Sequence, residues 1–442
     1  MERKSSVKFI DLFSGLGGFH VALTRLGHQC VFASDIDKEL QNLYYNNFGI
    51  EVLGDITKIS PQDIPVHDIL CAGFPCQPFS KAGRQKGIDD YRGQLIDNII
   101  DILRVHQPRF LILENVRNLE VHNEGQTWEY IKNNLEALGY TIDKKIISPH
   151  QIGVPQHRER IFIVGALNGL EHFTWFPINE KPTSVKDVIL GTDSFSDEFN
   201  IESEKIEVLE IWQEFLDRLP QGVQPYSPMW SMEFGATYPY EDIDIHKLKI
   251  RELVQYKGCF GDPIEGRTKK EIFSCLPNYI KTQKGVFPKW KQNFIRNNRE
   301  FYKKYKRSID PVLPKIKALP VESWQKFEWN CNGLEKNIWN YLVQFRGSGV
   351  RIKKTDYFPS LVTVRTQMPI IAWERRYMLP QEGALVQSLP LNLELPKNTT
   401  SCFRALGNSV NTEIIYAIAE RLIILEEDLL HEANLLNDML VV

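Results

Sequence analysis

The sequence predicts an α/β protein with a doubly wound, mostly parallel β-sheet. Short apolar runs, typical of buried strands, alternate with amphipathic stretches of helical length through the first 166 residues. Glycines follow the first apolar run and the first amphipathic stretch, where a strand turns into a helix and where that helix ends. Strands and helices that alternate in this way are typical of a parallel sheet covered by helices on both faces.

The predicted elements follow one another along the chain. Strands are expected at residues 7–13, 31–34, 68–72, 110–113, 141–148 and 160–166, and helices at residues 19–26, 38–47 and 94–105. From about residue 176 the alternation ends: residues 191–212 are acidic and loop-like, and no clear period returns before a strongly amphipathic helix at residues 412–430. We therefore expect an α/β domain at residues 1–177, a long irregular insert at 178–395, and a C-terminal segment at 396–442 that returns to the first domain.

Composition narrows the class of protein. The 442 residues include 53 Lys and Arg against 56 Asp and Glu, which excludes a uniformly basic binder but permits a local basic patch. The seven cysteines form no C-x-x-C pair, so neither a zinc ribbon nor a disulfide framework is indicated, and free thiols are typical of a reducing cytoplasm. No apolar run approaches the ~18 residues of a membrane span, and no signal-peptide core is present. We expect a soluble cytoplasmic protein.

A glycine-rich loop follows the first strand. Residues 11–19 read DLFSGLGGF, and the small residues Gly15, Gly17 and Gly18 let a ligand approach the backbone at the carboxyl edge of the sheet. The spacing is G-x-G-G, with no basic residue nearby to meet a pyrophosphate, which argues against a dinucleotide. The loop therefore indicates a different ligand, with a purely structural glycine turn as the alternative.

Acidic residues follow the next two strand-like stretches. Asp35 ends the second strand, where its carboxylate suits the hydroxyl groups of a ribose. Asp55 and Ile56 end a third strand-like stretch and suit contact with an adenine ring. An adenosine-containing cofactor fits this pattern, and the alternative is that the aspartates only cap helices.

A cysteine between two prolines follows the strand at residues 68–72. Residues 73–80 read GFPCQPFS, which places Cys76 on a rigid loop at the ligand edge of the sheet. The flanking Pro, Gln and Ser favour a presented nucleophile over a buried thiol. Cys71 lies inside the strand itself, and we interpret it as a packing residue.

Three further polar motifs follow strands or precede a helix. Glu114 ends an apolar strand, where desolvation raises a carboxyl pKa and suits the group to hold a proton, with a helix cap as the alternative. Arg158 and Arg160 are two residues apart, so in an extended chain they share one face and can clamp a phosphate or a base carbonyl, unless they only form a solvated surface. Asn408 or Ser409 caps the last helix and can contact a ligand.

The ordered motifs F-S-G-x-G-G, P-C-Q, E-N-V, Q-x-R-x-R and G-N-S-V resemble those of the C5-cytosine-specific DNA methyltransferase family. The run from Arg376 through Glu382 and Gln387 to Pro390 is similar to the penultimate motif of that family. The resemblance covers residues 8–166 and 360–420. It implies a Rossmann-like methyltransferase domain and a second, target-recognition domain in the insert.

The resemblance also implies roles for individual residues, with S-adenosylmethionine as methyl donor and no metal. The cysteine at the position of Cys76 adds to C6 of cytosine, and the glutamate matching Glu114 supplies a proton or a hydrogen-bond donor to N3. The arginine matching Arg160 contacts the cytosine carbonyl, and the arginine matching Arg158 supports the same pocket. The cofactor-binding residues are expected to be Phe13, Gly15, Gly17, Gly18, Asp35, Ile36, Asp55, Ile56, Phe74, Pro75, Leu95, Asn408 and Ser409. The family usually has glutamate where this chain has Asp35, so either Asp35 or Asp37 holds the ribose.

The substrate implied by the resemblance is duplex DNA, from which the target base must be extruded. Inside the insert, residues 281–307 carry ten positive charges against the single Glu300, with aromatic residues interleaved, which favours a DNA-facing surface over a merely solvated helix. Residues 346–354 are a second basic stretch, either groove-binding or an ordinary loop. The residues expected to contact DNA are Gln77, Ser80, Lys289, Lys291, Arg296, Arg299, Arg346 and Arg351.

What is usual in this family further implies a monomeric, DNA-associated prokaryotic enzyme, which protects host DNA from a genetically linked restriction endonuclease. The nearest rival is an RNA methyltransferase on the same scaffold, but such relatives have a much shorter variable region. A non-catalytic DNA-binding regulator is disfavoured by the intact set of Cys76, Glu114 and Arg160. A nucleotide-dependent oxidoreductase is disfavoured because the chain has no G-x-G-x-x-G or redox motif.

Overall fold

The computed structural model describes residues 6–75, 94–178, 182–191, 196–283, 285–361 and 367–424. Its strands are β1 (Lys8–Leu12), β2 (Gln29–Ser34), β3 (Val52–Leu53), β4 (Ile69–Gly73), β5 (Phe110–Val116), β6 (Thr141–Ile147), β7 (Gln156–His157), β8 (Arg160–Ala166), β9 (Met229–Trp230), β10 (Lys326–Asn330), β11 (Leu342–Arg346), β12 (Gly349–Lys353), β13 (Phe358–Pro359), β14 (Ile370–Ile371) and β15 (Arg376–Tyr377). Its α-helices are α1 (Gly18–Arg25), α2 (Lys38–Phe48), α3 (Gln94–His106), α4 (Gln126–Ala137), α5 (Ser203–Arg218), α6 (Ile250–Leu253), α7 (Lys269–Ser274), α8 (Asn278–Lys281), α9 (Lys289–Ile309), α10 (Leu313–Lys317), α11 (Pro380–Leu385), α12 (Thr399–Asn408) and α13 (Thr412–Ala419).

The chain divides into two compact units. Unit 1 comprises Met1–Gly191, Asp356–Arg365 and Leu379–Val442, and unit 2 comprises Thr192–Thr355 and Thr366–Met378. Unit 1 is therefore assembled from three separate stretches of sequence. The expected domain divisions after residues 177 and 395 stay a prediction.

Unit 1 contains a seven-stranded sheet in the order β3-β2-β1-β4-β5-β8-β6. The strands from β3 to β5 are parallel, and β8 runs antiparallel to both β5 and β6. Neighbouring residues of β1 point to opposite faces of the sheet. Phe9 packs with apolar residues of α1 and α13, and Ile10 packs with apolar residues of α3 and α4. Apolar cores on both faces of a mostly parallel sheet confirm the predicted doubly wound α/β class.

Parallel pairing brings the carboxyl ends of four strands to one edge of this sheet. In register, Leu12 of β1 lies beside Ser34 of β2 and Ala72 of β4, and Gly73 of β4 lies beside Glu114 of β5. Residues that follow these strands are therefore neighbours in space although they are far apart in sequence. This edge is where ligands bind in open α/β sheets.

The C-terminal stretch of the described chain belongs to unit 1. Helix α13 packs its apolar residues Ile414, Ile415 and Ile418 into the core that also contains α1, and Arg25 of α1 pairs with Glu413 at 2.6 Å. The amphipathic helix predicted from residue 412 thus begins as expected, and residues 425–442 lie outside the described residues.

Unit 2 contains a six-stranded sheet in the order β15-β14-β11-β12-β10-β9. The sequence shows no clear period here because these strands are only two to five residues long. Helix α5 packs against the sheet through Trp212, whose ring stacks on Phe327 at a centroid distance of 4.7 Å. Among the residues placed in the structure, no helix is long and apolar enough to cross a membrane.

One sequence expectation in unit 2 is wrong. The acidic stretch at residues 191–212, expected to be loop-like, instead leads into the sixteen-residue helix α5. Val208, Leu209, Trp212 and Phe215 recur at helical spacing and are buried. The acidic residues occupy the positions between them, and their number concealed the apolar stripe.

Candidate active site

A cavity of about 700 Å³ opens in unit 1 at the carboxyl edge of the parallel strands. Its volume lies within the range of small-molecule and cofactor sites. The sequence-predicted residues that line it are Phe13, Gly15, Gly18, Asp35, Ile36, Asp55, Ile56, Phe74, Pro75, Leu95, Glu114, Arg158, Arg160, Asn408 and Ser409. Fold and sequence motifs therefore converge on one site.

The glycine loop forms one wall of this cavity. Gly15 has φ +54°, and its amide donates to Asp35 Oδ2 at 2.8 Å, so the loop is fastened to the end of β2. A Cβ at Gly18 would lie 2.5 Å from Val410 Cγ2, so the start of α1 can approach the G-N-S-V segment only without a side chain. Gly17 does not line the cavity; it caps α1 with φ 77° and packs against α2.

Two aspartates follow β2, and their oxygens have different partners. Asp35 Oδ1 accepts from the amide of Asp37, and Oδ2 accepts from Gly15, which leaves lone pairs on both oxygens. Asp37 caps α2 through Oδ1, and its Oδ2 lies 3.2 Å from Arg404 Nη2. Burial raises the pKa of Asp35, although the two amide hydrogen bonds oppose this. Asp35 is therefore the carboxylate better placed to receive a further donor.

Two serines that sequence reasoning missed lie at the same wall. Ser14 and Ser34 line the cavity, and within the described residues the Oγ atom of each is buried without a hydrogen-bond partner. A buried hydroxyl without a partner is costly, so these two atoms mark where a polar ligand group would be accommodated. The signal was available, since Ser14 belongs to the glycine loop and Ser34 ends the predicted second strand.

Glu114 stands at the opposite side, near the end of β5. Its carboxyl group is buried, and Oε1 lies 3.1 Å from Arg160 Nε, in a geometry that makes an ion pair without an aligned hydrogen bond. Burial raises the pKa of Glu114, while the charges of Arg160 and Arg158 lower it. The next residue, Asn115, donates to the Phe74 carbonyl at 3.1 Å and so ties β5 to the segment after β4.

Arg158 is buried beside this pair. Its backbone amide donates to Ser148 Oγ at 2.8 Å, and Nη2 donates to the Ser409 carbonyl at 3.0 Å. Burial and the Arg160 charge lower the pKa of Arg158 to about 9, so the guanidinium stays charged at pH 7. Nε and Nη1 have no hydrogen-bond partner in the part of the chain that the structure describes, which leaves two donors on a residue that lines the cavity.

The predicted nucleophile lies outside the described residues, as do Gln77 and Ser80. Cys76 follows Pro75 in the chain, and Pro75 lines the cavity. Cys71, interpreted as a packing residue, is fully buried in β4, and burial raises its thiol pKa well above the ordinary value. Among the described residues, no group of three or more His, Cys, Asp or Glu side chains is placed to hold a metal ion.

Helix α12 supplies a wall of the cavity that sequence reasoning also missed. Ser401, Arg404 and Ala405 line it immediately before the predicted G-N-S-V motif. Arg404 spans to Asp37, which links α12 to the start of α2. The signal was weak because one arginine on a short amphipathic helix is normally a surface residue.

In unit 2, the predicted DNA contacts divide into exposed and buried groups. Lys289 and Arg296 lie on α9 with side chains exposed by 79% and 40%, and they pair with acidic residues from outside the basic stretch, Asp242 and Glu241. Exposed pairs of this kind are weak and leave the cations available. Lys291 is half-buried against the rings of Phe287, Tyr279 and Trp290. Lys284, which belongs to the same basic stretch, lies outside the described residues.

Arg299 occupies a different environment. Its Nε lies 2.9 Å from the fully buried Glu233, and its guanidinium lies over the rings of Tyr238 and Tyr240. Tyr238 and Tyr279 also donate to Glu233. Arg299 therefore has a structural partner, and we assign it to the core of unit 2 rather than to a DNA surface.

Arg346 and Arg351 stand on the hairpin formed by β11 and β12. Arg351 pairs with Glu328 of β10, and the Arg346 pKa is lowered by burial and by the neighbouring Arg351 charge. Both side chains are partly exposed. Their contact with DNA stays a prediction.

The fold and the family of this chain are both shared with known proteins. A solved E. coli structure, described as a DNA modification methyltransferase encoded within a prophage, matches 95% of this chain and 99% of its own, with a TM-score of 0.52 at 20% identity. This likeness concerns the fold, which is that of Rossmann-like α/β methyltransferases. The chain belongs to the C-5 cytosine-specific DNA methylase family, whose model matches residues 7–424. The family predicted from the sequence motifs is confirmed.

The curated relatives are Type II methyltransferases. M.DsaV of Dactylococcopsis salina is 51% identical over 165 residues, which are 37% of this chain and 47% of that protein. M.NgoBI of Neisseria gonorrhoeae is 37% identical over 272 residues, which are 58% of this chain and 84% of that protein. The chain thus spans about half the length of the first relative and most of the second.

Proposed function

We propose that this protein is a DNA (cytosine-5-)-methyltransferase that modifies cytosine within a specific duplex sequence. The observation that carries the proposal is the meeting of Glu114 and Arg160 in the cavity that also contains the glycine loop and Pro75, the residue before Cys76. An acid poised to hold a proton, beside a cavity suited to a nucleotide-like cofactor, is what methylation at a ring carbon requires.

S-adenosylmethionine is the proposed cofactor, and the described residues fit it. The partnerless hydroxyl groups of Ser14 and Ser34 and the buried carboxylate of Asp35 offer polar contacts for a ribose or an amino acid moiety. Ile36, whose side chain is 72% exposed at the cavity, offers an apolar surface to an adenine ring. When bound, this cofactor supplies a methyl group activated by a sulfonium charge.

Cys76 is the proposed nucleophile because cytosine C5 alone is too weak a nucleophile. A bond from the Cys76 thiolate sulfur to C6 moves an electron pair through the ring, and a proton reaches N3 from Glu114. The resulting enamine carries its nucleophilic electron pair at C5. This pair would form the new carbon–carbon bond to the methyl carbon as the bond between that carbon and the sulfonium sulfur breaks and leaves its electrons on the sulfur. Loss of the C5 proton to a base then returns the electron pair, the bond between sulfur and C6 breaks, and the thiolate is regenerated.

The two arginines support this proton transfer. Arg160 pairs with Glu114 and limits the rise of its pKa, so that the carboxyl group can release its proton to N3 and later regain it. Arg158 adds a second positive charge and is itself held by the Ser409 carbonyl. A base carbonyl is the natural acceptor for donors of the Arg160 guanidinium.

Unit 2 is the proposed target-recognition element. Exposed cations on α9 suit phosphate contacts, which position a protein on duplex DNA, whereas base contacts specify the sequence. Extrusion of the cytosine costs a few kcal/mol, which contacts of this kind must offset. Since the relatives are Type II methyltransferases, we further propose that the protein acts as a monomer in the cytoplasm of a prokaryote and protects DNA from a linked endonuclease.

The test is methyl transfer by the purified full chain. Duplex DNA is incubated with S-adenosylmethionine and read by bisulfite sequencing, with tRNA at equal concentration in a parallel reaction. We expect modification of one cytosine in a fixed sequence context in DNA. Transfer to tRNA alone, or no transfer at all, would contradict the proposal.

Two cysteine variants address the nucleophile. Cys76→Ser should abolish transfer while cofactor binding persists, because a serine hydroxyl is a far weaker nucleophile than a thiolate. Cys275→Ser is the matched control, since Cys275 is a partly exposed thiol of unit 2. Near-normal turnover in Cys76→Ser would remove Cys76 from the mechanism.

A further inference from the structure

Three polar side chains meet in the core of unit 1 beneath the glycine loop. Tyr44 donates its hydroxyl hydrogen to Asp11 Oδ2 at 3.2 Å, and the same hydroxyl oxygen lies 2.8 Å from His20 Nδ1. Asp11 is fully buried, and Tyr44 and His20 are almost fully buried. Such a group of polar side chains is costly unless its hydrogen bonds are made, so its presence requires a reason.

Each of the three residues comes from a different element around the loop. Asp11 lies in β1, two residues before Phe13, where the loop begins. His20 lies in the first turn of α1, which follows the loop, and Tyr44 lies in α2, which follows the cavity residues Asp35 and Asp37. The Tyr44 hydroxyl therefore joins the strand that enters the loop to the helix that leaves it.

The donor in the contact between His20 and Tyr44 depends on the His20 tautomer. With the Tyr44 hydroxyl hydrogen donated to Asp11, the neutral tautomer that can bond to the Tyr44 oxygen is the one that carries its hydrogen on Nδ1. Burial lowers the pKa of His20 to about 4, which keeps the ring neutral at pH 7. Gly17, the N-cap of α1, has no side chain with which to cap the helix. Burial raises the pKa of Asp11 well above its ordinary value, and the Tyr44 hydroxyl and the backbone N–H of His20 oppose this rise.

The rings of α2 also contact the loop directly. A Cβ at Gly17 would lie 2.4 Å from Phe48 Cε2 and 3.2 Å from Tyr44 Cε2. His20 stacks on Phe48 with ring centroids 4.0 Å apart. Gly17 thus rests on the two aromatic rings of α2, and a lateral movement of Tyr44 would displace both ends of the loop.

We propose that Tyr44 is a positioning residue, which through Asp11 and His20 holds residues 13–17 in the conformation that binds the cofactor. The inference rests on the proposed function, because it concerns the S-adenosylmethionine site. Tyr44 does not line the cavity, so its effect passes through the loop backbone. That backbone also provides the Gly15 amide to Asp35.

The experiment compares Tyr44→Phe with Tyr45→Phe in the full chain. Tyr45 is the adjacent residue on α2 and is 57% exposed, so it controls for the loss of a tyrosine hydroxyl on this helix. Binding of S-adenosylmethionine and of S-adenosylhomocysteine is measured by calorimetry, and methyl transfer is measured at saturating cofactor. Tyr44→Phe should weaken binding of both ligands about tenfold, a factor that corresponds to about 1.4 kcal/mol, while kcat stays within about twofold. Tyr45→Phe should match the wild type.

Amide hydrogen exchange without cofactor separates positioning from general destabilisation. In Tyr44→Phe, the amides of Gly15, Gly17 and Gly18 should exchange faster, while those of β5 keep their protection. If Tyr44→Phe does not fold, Asp11→Asn is measured in its place, with a smaller loss of affinity expected. Unchanged affinity in the folded variant, or a fall in kcat alone, would overturn the inference. Failure of the wild type to bind the cofactor would instead overturn the proposed function.

Discussion

Glu114 Oε1 lies 3.1 Å from Arg160 Nε, with both side chains in the wall of one cavity. The carboxyl side chain is 8% exposed and the guanidinium side chain 19%. Burial raises the pKa of Glu114 while the two neighbouring arginines lower it. Burial and the arginine charges therefore act in opposite directions on the affinity of Glu114 for a proton.

Glu114→Gln tests the acid. Glutamine has the same shape and can donate a hydrogen bond to N3, but it cannot transfer a proton. We expect kcat to fall by about 100-fold or more, the usual range for loss of a general acid, with cofactor affinity unchanged. Steady-state methylation of duplex DNA checks this, and a loss of less than about threefold would show that Glu114 is not the acid.

The pH profile of the wild type should report the same group. If Glu114 supplies the proton as proposed, its protonated form is the active one, and kcat should fall as the pH rises through its raised pKa. The same shift makes a stability contribution that is present below the ordinary carboxyl pKa and lost as the pH rises through the raised value. The residual activity of Glu114→Gln should lack this alkaline fall, and a fall that persists unchanged in the variant would assign it to another group.

Arg160→Ala should change that profile in a defined direction. Removing the guanidinium removes a charge that lowers the pKa of Glu114, so the alkaline fall of the residual activity should move to higher pH. Arg117→Ala is the control, because Arg117 is an exposed arginine whose partner is Glu159. A shift to lower pH in Arg160→Ala would contradict the assigned electrostatics.

Asp35→Asn and Asp37→Asn should separate cofactor binding from helix capping. Asp35 retains acceptor capacity at the cavity, so Asp35→Asn should weaken cofactor binding about tenfold or more, since hydrogen bonds to charged groups contribute about 1.5–3 kcal/mol. Asparagine caps a helix about as well as aspartate but cannot pair with Arg404, so Asp37→Asn should leave cofactor binding unchanged and lower the free energy of unfolding by no more than about 1 kcal/mol. Calorimetry and denaturant unfolding give both quantities. The reverse pattern would make Asp37 the ribose ligand.

Substitutions of the cations of α9 should likewise separate an effect on DNA binding from an effect on stability. Lys289→Gln combined with Arg296→Gln should flatten the salt dependence of DNA affinity, by up to about 0.9 in log–log slope for each phosphate that the variant no longer neutralises. Arg299→Gln should instead lower the free energy of unfolding by about 3 kcal/mol, because Glu233 is left without its buried cationic partner. Binding titrations between 50 and 200 mM salt, about the range over which such phosphate interactions act, check the first expectation. A double variant with an unchanged slope would exclude this part of α9 from the interface.

The sequence predicted the structure well where a pattern of residues is typical of one kind of element, such as a short apolar run in a buried strand. The apolar runs predicted the strands of unit 1 to within a few residues: residues 110–113 lie in β5, and the run at residues 160–166 is β8. Parallel strands then place the residues after them at one edge, which is why Asp35, Phe74 and Glu114 line the same cavity.

The sequence was less informative where partners come from distant segments. Arg299 looked like a DNA contact because Glu233, 66 residues earlier, could not be paired with it from the sequence. Arg404 carries no distinctive pattern in the sequence, and only the fold brings it to the cavity. The helix α5 was concealed because its five acidic residues are interspersed with the apolar stripe that defines it.

The residues that line the cavity are translated at different times, because some precede unit 2 in the sequence and others follow it. Ser14 and Gly15 are made before unit 2, whereas Arg404 and Ser409 are made after the whole of unit 2 has been translated. A chain still on the ribosome therefore lacks one side of the cavity until unit 2, the proposed target-recognition element, has been made. A chain that ends before residue 404 therefore has no complete cavity.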